Sequence, residues 1–157
     1  MASYAPLFAH VDGWQWTPDM IWVDDLHVYG TPNYYVQKMY SLYKGTGVVG
    51  ISMNNKVVAG QDSLYASAVV DSKTNELILK VVNASNQAQT RNISIKSSKK
   101  LPLSAINTYI TNDLKAVNSF ERSTNVSPQD ERIAVKGKNM ALTLKPYSFN
   151  IVRLQLK

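Results

Sequence analysis

YGTPNYYVQKMYS, the sequence of residues 29–41, contains the most clearly marked helix start in the chain. Thr31 is predicted to cap the helix, because its side-chain oxygen can accept a hydrogen bond from a free backbone N–H of the first turn. Pro32 suits the first helical position, where no N–H donor is needed. Gly45 is expected to end the helix. One face of this helix is apolar, formed by Tyr35, Met39, Leu42 and Tyr43.

The region upstream of the helix is too small for a complete fold. It contains all three tryptophans and one clear strand, Met20–Val23. A nearly continuous apolar run of this kind is typical of a strand buried on both faces, as in a parallel sheet. Strand, loop and helix together make half of a repeating β/α unit. The first 45 residues are therefore interpreted as part of something larger.

Downstream of the helix, apolar residues alternate with a period of two, which is typical of antiparallel strands. Polar turns at residues 71–75 and 136–139 have the length of hairpin connections. Short strands separated by such turns indicate an antiparallel β-sandwich. The predicted strands are 64–70, 76–82, 90–95, 105–111, 132–135, 140–144 and 147–156.

The last predicted strand changes phase in its middle. Phe149 and Ile151 are apolar at odd positions, whereas Val152 and Leu154 are apolar at even positions. Such a shift predicts a β-bulge or a bend near Ile151. A bent strand would let this segment serve two sheets of the sandwich.

The composition allows a globular core and excludes several classes of site. The hydrophobic fraction is 45%, which is ordinary for a globular protein. No apolar run of about eighteen residues occurs, so no transmembrane helix is expected, and the first residues lack the features of a signal peptide. Cysteine is absent, which excludes disulfides, thiolate metal sites and cysteine nucleophiles. The compartment stays open.

The net charge of +6 raises the question of nucleic-acid binding. The cluster of Lys96, Lys99 and Lys100 is interrupted by serines and followed by Pro102, which indicates an exposed loop between strands. The arginines are scattered, and no aromatic stacking platform lies among them. A solvated basic surface explains the charge, so we expect neither a nucleic-acid nor a membrane partner.

Several segments resemble one family of glycoside hydrolases, in order, along nearly the whole chain. SYAPLF at 3–8, WTPDMIW at 16–22 and YGTPNYYVQK at 29–38 closely resemble the end of the catalytic barrel in α-L-arabinofuranosidases of glycoside hydrolase family fifty-one. The later segments that are similar to the C-terminal β-sandwich of that family are 79–83, 118–121, 126–128 and 146–149.

The resemblance implies a fold in two parts. In the family, a (β/α)₈ barrel is followed by a sandwich of jelly-roll type. Met20–Val23 would then be the last barrel strand and residues 33–44 the last barrel helix. Residues 1–45 would be a remnant of the barrel, and residues 46–157 the sandwich domain. The long loop at 112–130 is expected to form part of the contact between the two.

The resemblance also implies an activity for the complete enzyme, the hydrolysis of terminal α-L-arabinofuranosyl residues in arabinan or arabinoxylan with retention of configuration. Retaining enzymes need two carboxyl groups about 5–5.5 Å apart, and in the family both are glutamates on earlier barrel strands. Glu76, Glu121 and Glu131 do not match those motifs. We therefore predict no catalytic residue in this chain, a structural role for the sandwich, and no activity of the chain alone.

Two residues are candidates for contact with substrate in the complete enzyme. Trp14 lies in the loop before the strand, and an indole face suits the apolar face of a sugar ring. Asp24 follows the strand, at the end that faces substrate in barrels, although a turn-capping role is the alternative. His10 and His27 have no third ligand at metal spacing, so no metal and no cofactor are expected.

The expected partners are the catalytic barrel of the same polypeptide and, through the complete enzyme, an arabinose-containing polysaccharide. Residues 1–45 are expected to fold onto the sandwich or to form a homodimer with a second copy, since an isolated strand and helix leave an open edge and an apolar face.

Two alternative functions remain, a non-catalytic carbohydrate-binding module and an immunoglobulin-like interaction domain. The barrel-like segment argues against the interaction domain, because an immunoglobulin-like sandwich does not include a strand–helix unit of this kind. A binding module needs a platform of exposed aromatic side chains. The aromatics after residue 60 mostly fall in strand register: Tyr65, Tyr109, Phe120, Tyr147 and Phe149.

Overall fold

The computed structural model describes residues 4–156. The helix is α1, Pro32–Leu42. The short strands around it are β1 Phe8–His10, β2 Ile21–Val23, β3 Val28–Gly30, β4 Gly47–Val49, β5 Ser52–Met53 and β6 Lys56–Val57. After a 3₁₀ turn at Gln61–Ser63 come β7 Leu64–Asp71, β8 Glu76–Asn83, β9 Gln89–Ser94, β10 Ser104–Thr111, β11 Gln129–Lys136, β12 Asn139–Leu144 and β13 Ser148–Gln155. The seven strands predicted from the period of two are all confirmed.

The start of α1 is the one that the sequence predicts. The Thr31 hydroxyl accepts a hydrogen bond from the backbone N–H of Tyr34 at 3.4 Å and donates to the carbonyl of Met20 at 3.0 Å. The N-cap therefore also ties the helix to the residue that precedes β2. Gly45 has φ +70°, and a Cβ there would lie 2.5 Å from the side chain of Val69. Glycine is thus required both for the backbone conformation and for the close approach to β7.

A three-stranded sheet stands before the helix, with β2 in the middle. β1 runs parallel to β2, and β3 runs antiparallel to it. The apolar run Met20–Val23 gives rise to β2, as predicted, and one neighbour is parallel. The expected burial on both faces is wrong for this strand, because Ile21–Val23 are only partly buried. β1 lies at the edge of this sheet.

The larger sheet has eight strands in the order β4-β7-β8-β13-β10-β11-β12-β9, and each neighbouring pair is antiparallel. The sheet curls so that β7 and β8 face β9 and β12 across one apolar core. The predicted antiparallel sandwich of jelly-roll type is confirmed. Buried members of this inner core include Leu64, Leu79, Val81, Met140, Leu142, Leu144, Val152 and Leu154.

The predicted bulge in the last strand is wrong. β13 pairs with β8 without interruption, from Ser148 opposite Asn83 to Gln155 opposite Glu76. The change of phase arises because β13 is buried on both faces. Ile151 packs in an outer core beneath α1, whereas Val152 packs in the inner core. Apolar residues therefore occur at both odd and even positions, although the strand is regular.

The outer core joins α1 to the convex face of the large sheet. Met39 packs there with Ile78 of β8 and Ile151 of β13. The helix thus folds onto the sandwich, the first of the two arrangements expected for the N-terminal region. Val126, from the loop between β10 and β11, belongs to the same cluster.

The loop at residues 112–128 also contacts β3 directly. Asn118 donates hydrogen bonds to the carbonyls of Gly30 at 2.8 Å and Val126 at 3.0 Å, and its own carbonyl accepts from the N–H of Val126 at 2.7 Å. Phe120 packs edge-on against Tyr29, with ring centroids 4.9 Å apart. The expected contact between this loop and the N-terminal segment is therefore present.

Lys80 is buried beneath α1, with 7% of its surface exposed. Its ammonium lies 5.3 Å from the ring centroid of Tyr40, which stacks on Phe149. Burial lowers the pKa of Lys80 below its ordinary value of 10.5. The unfolded chain therefore binds more protons than the folded chain between the folded and unfolded pKa values, and this lysine makes stability rise with pH across that window.

Lys80→Met is expected to stabilise the chain at pH 7, since methionine fills the space of the lysine stem without a charge. The advantage of the variant should shrink as the pH rises through the lowered pKa of Lys80 toward about 10.5, because a growing fraction of the lysine in the folded parent chain is then neutral. Urea unfolding of both chains at the two pH values measures the difference. Lys73→Met, at an exposed position, is the control and should show no such change. An advantage of equal size at both pH values would contradict the prediction.

Candidate functional site

A pocket of about 210 Å³ lies between β1 and the connection that leads to β2. Residues 11–20 form the connection between the two strands. It returns from the end of β1 to the level of its start, and β2 then runs parallel to β1. The pocket walls combine aromatic and polar side chains. These are Phe8, His10, Trp14, Gln15, Trp16 and Asp19.

Trp14, a predicted candidate for substrate contact, lines this pocket. It is 51% exposed, and its ring is held by an edge contact with Trp22, with centroids 6.0 Å apart. Trp16 lines the same pocket and is also largely exposed. Half-exposed indoles beside a concave surface are the arrangement that sugar rings stack on.

Asp19 is the site residue that the sequence analysis did not single out. Only 1% of it is exposed, and among residues 4–156 neither carboxylate oxygen has a hydrogen-bond partner. It follows Pro18 and directly precedes the apolar run of β2. That position was interpreted only as the flank of a strand. The informative feature was a carboxylate placed next to an apolar run with no basic residue nearby in sequence.

Asp24 lies outside the pocket and caps the turn between β2 and β3. Its carboxylate accepts hydrogen bonds from the backbone N–H groups of Leu26, at 2.8 Å, and His27. The Leu26 N–H, followed by the His27 contacts, holds the pKa of Asp24 below its usual value. The structure therefore does not bring Trp14 and Asp24 together in one pocket.

The two histidines are engaged by neighbouring carboxylates near the carboxyl ends of β1 and β2. His10 Nε2 lies 3.5 Å from Asp25, and His27 Nδ1 lies 3.1 Å from Asp24. Among residues 4–156, no three acidic or histidine side chains come together at the spacing of a metal site.

Each of the three glutamates has its own local partner. Glu76 lies 3.6 Å from the guanidinium of Arg153, and Glu131 accepts a hydrogen bond from Asn107 at 2.8 Å. Glu121 accepts from the Ser119 hydroxyl at 2.7 Å, and this bond lowers the pKa of Glu121. The three lie on a strand end, a second strand and a loop, so no two of them form the pair that retaining hydrolysis needs.

A larger cavity of about 610 Å³ lies inside the curled sheet, between the inner faces of β7 and β8 and those of β9 and β12. Its walls are mainly apolar core side chains, with Arg91 and Lys96 among the polar ones and no carboxylate in the lining. This lining offers packing surface and neither a carboxylate nor an imidazole. Among the aromatics after residue 60, Tyr65 is half exposed, whereas Tyr109 and Phe149 are buried. No helix in the described part of the chain is long and apolar enough to cross a membrane.

Comparison with known proteins gives a consistent result. The family model of the α-L-arabinofuranosidase C-terminal domain matches residues 1–148. α-L-Arabinofuranosidase 1 of Arabidopsis thaliana is 26% identical over 162 residues, which cover 96% of this chain and 22% of that protein. The probable α-L-arabinofuranosidase A of Aspergillus oryzae is 30% identical over 158 residues, covering 97% of this chain and 23% of that protein. The chain thus spans less than a quarter of these curated relatives.

Solved structures show the same fold. Arabinose-bound MgGH51 α-L-arabinofuranosidase superposes with a TM-score of 0.84 at 24% identity, over 99% of this chain and 24% of that one. The thermostable GH51 α-L-arabinofuranosidase of Thermotoga petrophila gives 0.71 at 20% identity, over 86% of this chain and 31% of that one.

Proposed function

Because the chain belongs to the family of α-L-arabinofuranosidase C-terminal domains, we propose that it is the C-terminal part of a retaining arabinofuranosidase. The complete enzyme hydrolyses terminal α-L-arabinofuranosyl residues of arabinan or arabinoxylan. In it, the sandwich of residues 46–157 supports the catalytic barrel. Residues 1–45 are the end of that barrel.

The observation that carries this proposal is the attachment of the N-terminal segment to the convex face of the sheet. Met39 of α1 is buried against β8 and β13, and Asn118 joins β3 to the loop behind it. Through these contacts, the large sheet fixes the position of the strand–helix unit.

The parallel pair of β1 and β2 and the open edge of β1 support the assignment to a barrel, whereas β3, which is antiparallel to β2, is not a strand of a parallel barrel. β1 lies parallel to β2 at the edge of the sheet, and exposed apolar side chains occur at β1 and at the start of β3. In the complete enzyme, the remaining barrel strands cover this edge and this surface. Trp14 then contacts the substrate from the loop before β2, whereas Asp24 caps the turn after β2. The exposed apolar side chains are Leu7, Phe8, Leu26 and Val28.

The chain by itself is expected to have no glycosidase activity, because its glutamates are separated and engaged by other partners. Release of 4-nitrophenol from 4-nitrophenyl α-L-arabinofuranoside should not exceed the buffer rate. A complete family arabinofuranosidase at the same molar concentration is the positive control. Hydrolysis at a comparable rate would refute the proposal, provided that the Glu→Gln variants at positions 76, 121 and 131 abolish it.

A further inference from the structure

Three connections of the large sheet meet at one end of the sandwich and carry six exposed lysines. The Lys99 ammonium donates a hydrogen bond to the side-chain carbonyl of Asn75 at 2.7 Å. The Lys138 ammonium donates to the backbone carbonyl of Ser97, also at 2.7 Å. The three connections are residues 71–75, 95–103 and 136–139. The exposed lysines of this surface, named the lysine end from here on, are Lys73, Lys96, Lys99, Lys100, Lys136 and Lys138.

The positive charge of the lysine end is not balanced nearby. In the described part of the chain, none of the six ammonium groups forms an ion pair with a carboxylate. Two acids lie at this end, and each has another partner. Asp71 accepts a hydrogen bond from the backbone N–H of Lys73 at 2.9 Å, and Glu76 lies 3.6 Å from the guanidinium of Arg153. Crowded like charges repel one another, so an anionic partner would relieve this repulsion.

The lysine end lies away from the contacts that attach the N-terminal segment. β10 begins at the lysine end and ends at the loop of residues 112–128, which contacts β3 through Asn118. The two surfaces are therefore separated by the length of this eight-residue strand, roughly 25 Å at about 3.3 Å per residue. A partner can occupy the lysine end while the N-terminal segment stays attached to the sheet.

We propose that the lysine end binds uronic acid carboxylates of an anionic polysaccharide, and so holds the enzyme on the polymer from which it removes arabinofuranosyl residues. This inference rests on the proposed function, which supplies the class of polymer. Chains of arabinose or xylose are uncharged, so the negative charge comes from uronic acid units of the same polysaccharide. Each carboxylate accepts hydrogen bonds and each ammonium donates three. Carboxylates spaced along a flexible chain match point charges spread over three connections.

The chemistry of the lysine end favours this partner over a nucleic acid or a membrane. No arginine, the residue that binds phosphate through two parallel hydrogen bonds, occurs in the three connections. No aromatic residue occurs there either, whereas single-stranded nucleic acids stack their bases on aromatic rings. Membrane surfaces need a set of apolar side chains that insert. In these connections, all of which the structure describes, Leu103 is the one large apolar side chain that is exposed.

The test titrates the whole 157-residue chain into an oligogalacturonate with a neutral fluorophore at its reducing end, at pH 7, where the formal net charge is +6. Fluorescence anisotropy reports binding. We expect binding at about 0.1 M salt, where the Debye length is about 10 Å, and a loss of affinity of about tenfold or more at about 1 M, where it is about 3 Å. The methyl ester of the same oligosaccharide keeps the rings and lacks the charge, so it should not compete.

Removal of three charges from the lysine end should weaken binding by about tenfold or more, because the ammonium groups act together on the polymer. One lysine is replaced in each connection: Lys73→Gln, Lys100→Gln and Lys136→Gln. A matched control removes the same charge from exposed positions elsewhere: Lys38→Gln, Lys115→Gln and Arg122→Gln. The control should change the affinity by less than about twofold. Both triple variants should keep the circular dichroism spectrum of the parent chain.

Absence of binding at the lower salt concentration, or equal affinities of the two triple variants, would overturn the inference. So would tighter binding of duplex DNA or of phosphatidylserine vesicles at the same concentration of negative charge, because a phosphate-bearing partner would then be the occupant. None of these readouts needs hydrolysis, and the aryl arabinofuranoside of the activity assay is uncharged. Failure of the lysine end to bind is therefore distinguishable from failure of the proposed function.

Discussion

Leu142→Ala is expected to lower the free energy of unfolding of the chain by about 3 kcal/mol. The side chain is 0% exposed and lies on β12 within the inner core. It also forms part of the wall of the apolar cavity inside the curled sheet. Removal of the leucine side chain therefore enlarges this cavity. The neighbouring strands cannot move in to fill the added volume, so its full cost remains.

The matched control is Leu103→Ala, since Leu103 is 87% exposed and loses little on truncation. Both variants are compared with the parent chain by urea unfolding, followed by circular dichroism and by tryptophan fluorescence. Coincident transitions justify a two-state free energy. A loss below about 1 kcal/mol for Leu142→Ala, or equal losses for the two variants, would mean that the curled sheet does not pack as described.

Asn118→Ala is expected to cost about 2–3 kcal/mol, because it leaves buried backbone groups without partners. The side chain is buried and makes three hydrogen bonds, to the carbonyls of Gly30 and Val126 and from the N–H of Val126. The loss is also expected to be local. Hydrogen exchange at the amide of Val126 should accelerate in native conditions, whereas exchange in β8 and β13 should change only by the global loss of stability.

Asn112→Ala is the control for this substitution. Asn112 is exposed and its side chain donates one hydrogen bond, to the carbonyl of Asn125 at 3.1 Å. It should cost less than about 1 kcal/mol. If the two alanine variants are equally stable, Asn118 does not hold the loop to β3, and the proposed bracing of the N-terminal segment loses its main polar contact.

Local chemistry explains why so much of the fold is predictable from the sequence. Thr31 and Pro32 act within a few residues of themselves, so the N-cap and the first turn can be inferred without knowing the rest of the chain. The strands follow from the period of two, and their hairpins from polar turns such as the one at Gly137, which adopts φ +62°.

The last strand shows where local patterns mislead. The change of phase suggested a break at Phe149, Ile151, Val152 and Leu154. That interpretation assumed a strand with only one buried face, for which apolar residues alternate with a period of two. Here α1 covers the outer face and the opposite half of the sheet covers the inner face. Whether a strand has one buried face or two depends on what packs on it from far along the chain.

The site divides in the same way. The sequence alone marked Trp14 as a candidate for sugar contact and gave Asp24 a turn-capping role as its alternative, because both inferences depend on short stretches of chain. It could not show that Asp24 stays at the turn while Asp19 lies beside Trp14 in a pocket. That pairing arises because the connection after β1 folds back along the strand before β2 begins.

The sequence by itself determined the helix start, the positions of the seven long strands, the sandwich class and the resemblance to the arabinofuranosidase family, since each follows from short stretches of the chain. Only the tertiary structure decided which acid is buried, which faces of β13 are covered and where the loop at 112–128 attaches. Burial and hydrogen-bond partners depend on contacts between residues that are distant in sequence. The local sequence pattern does not predict those contacts.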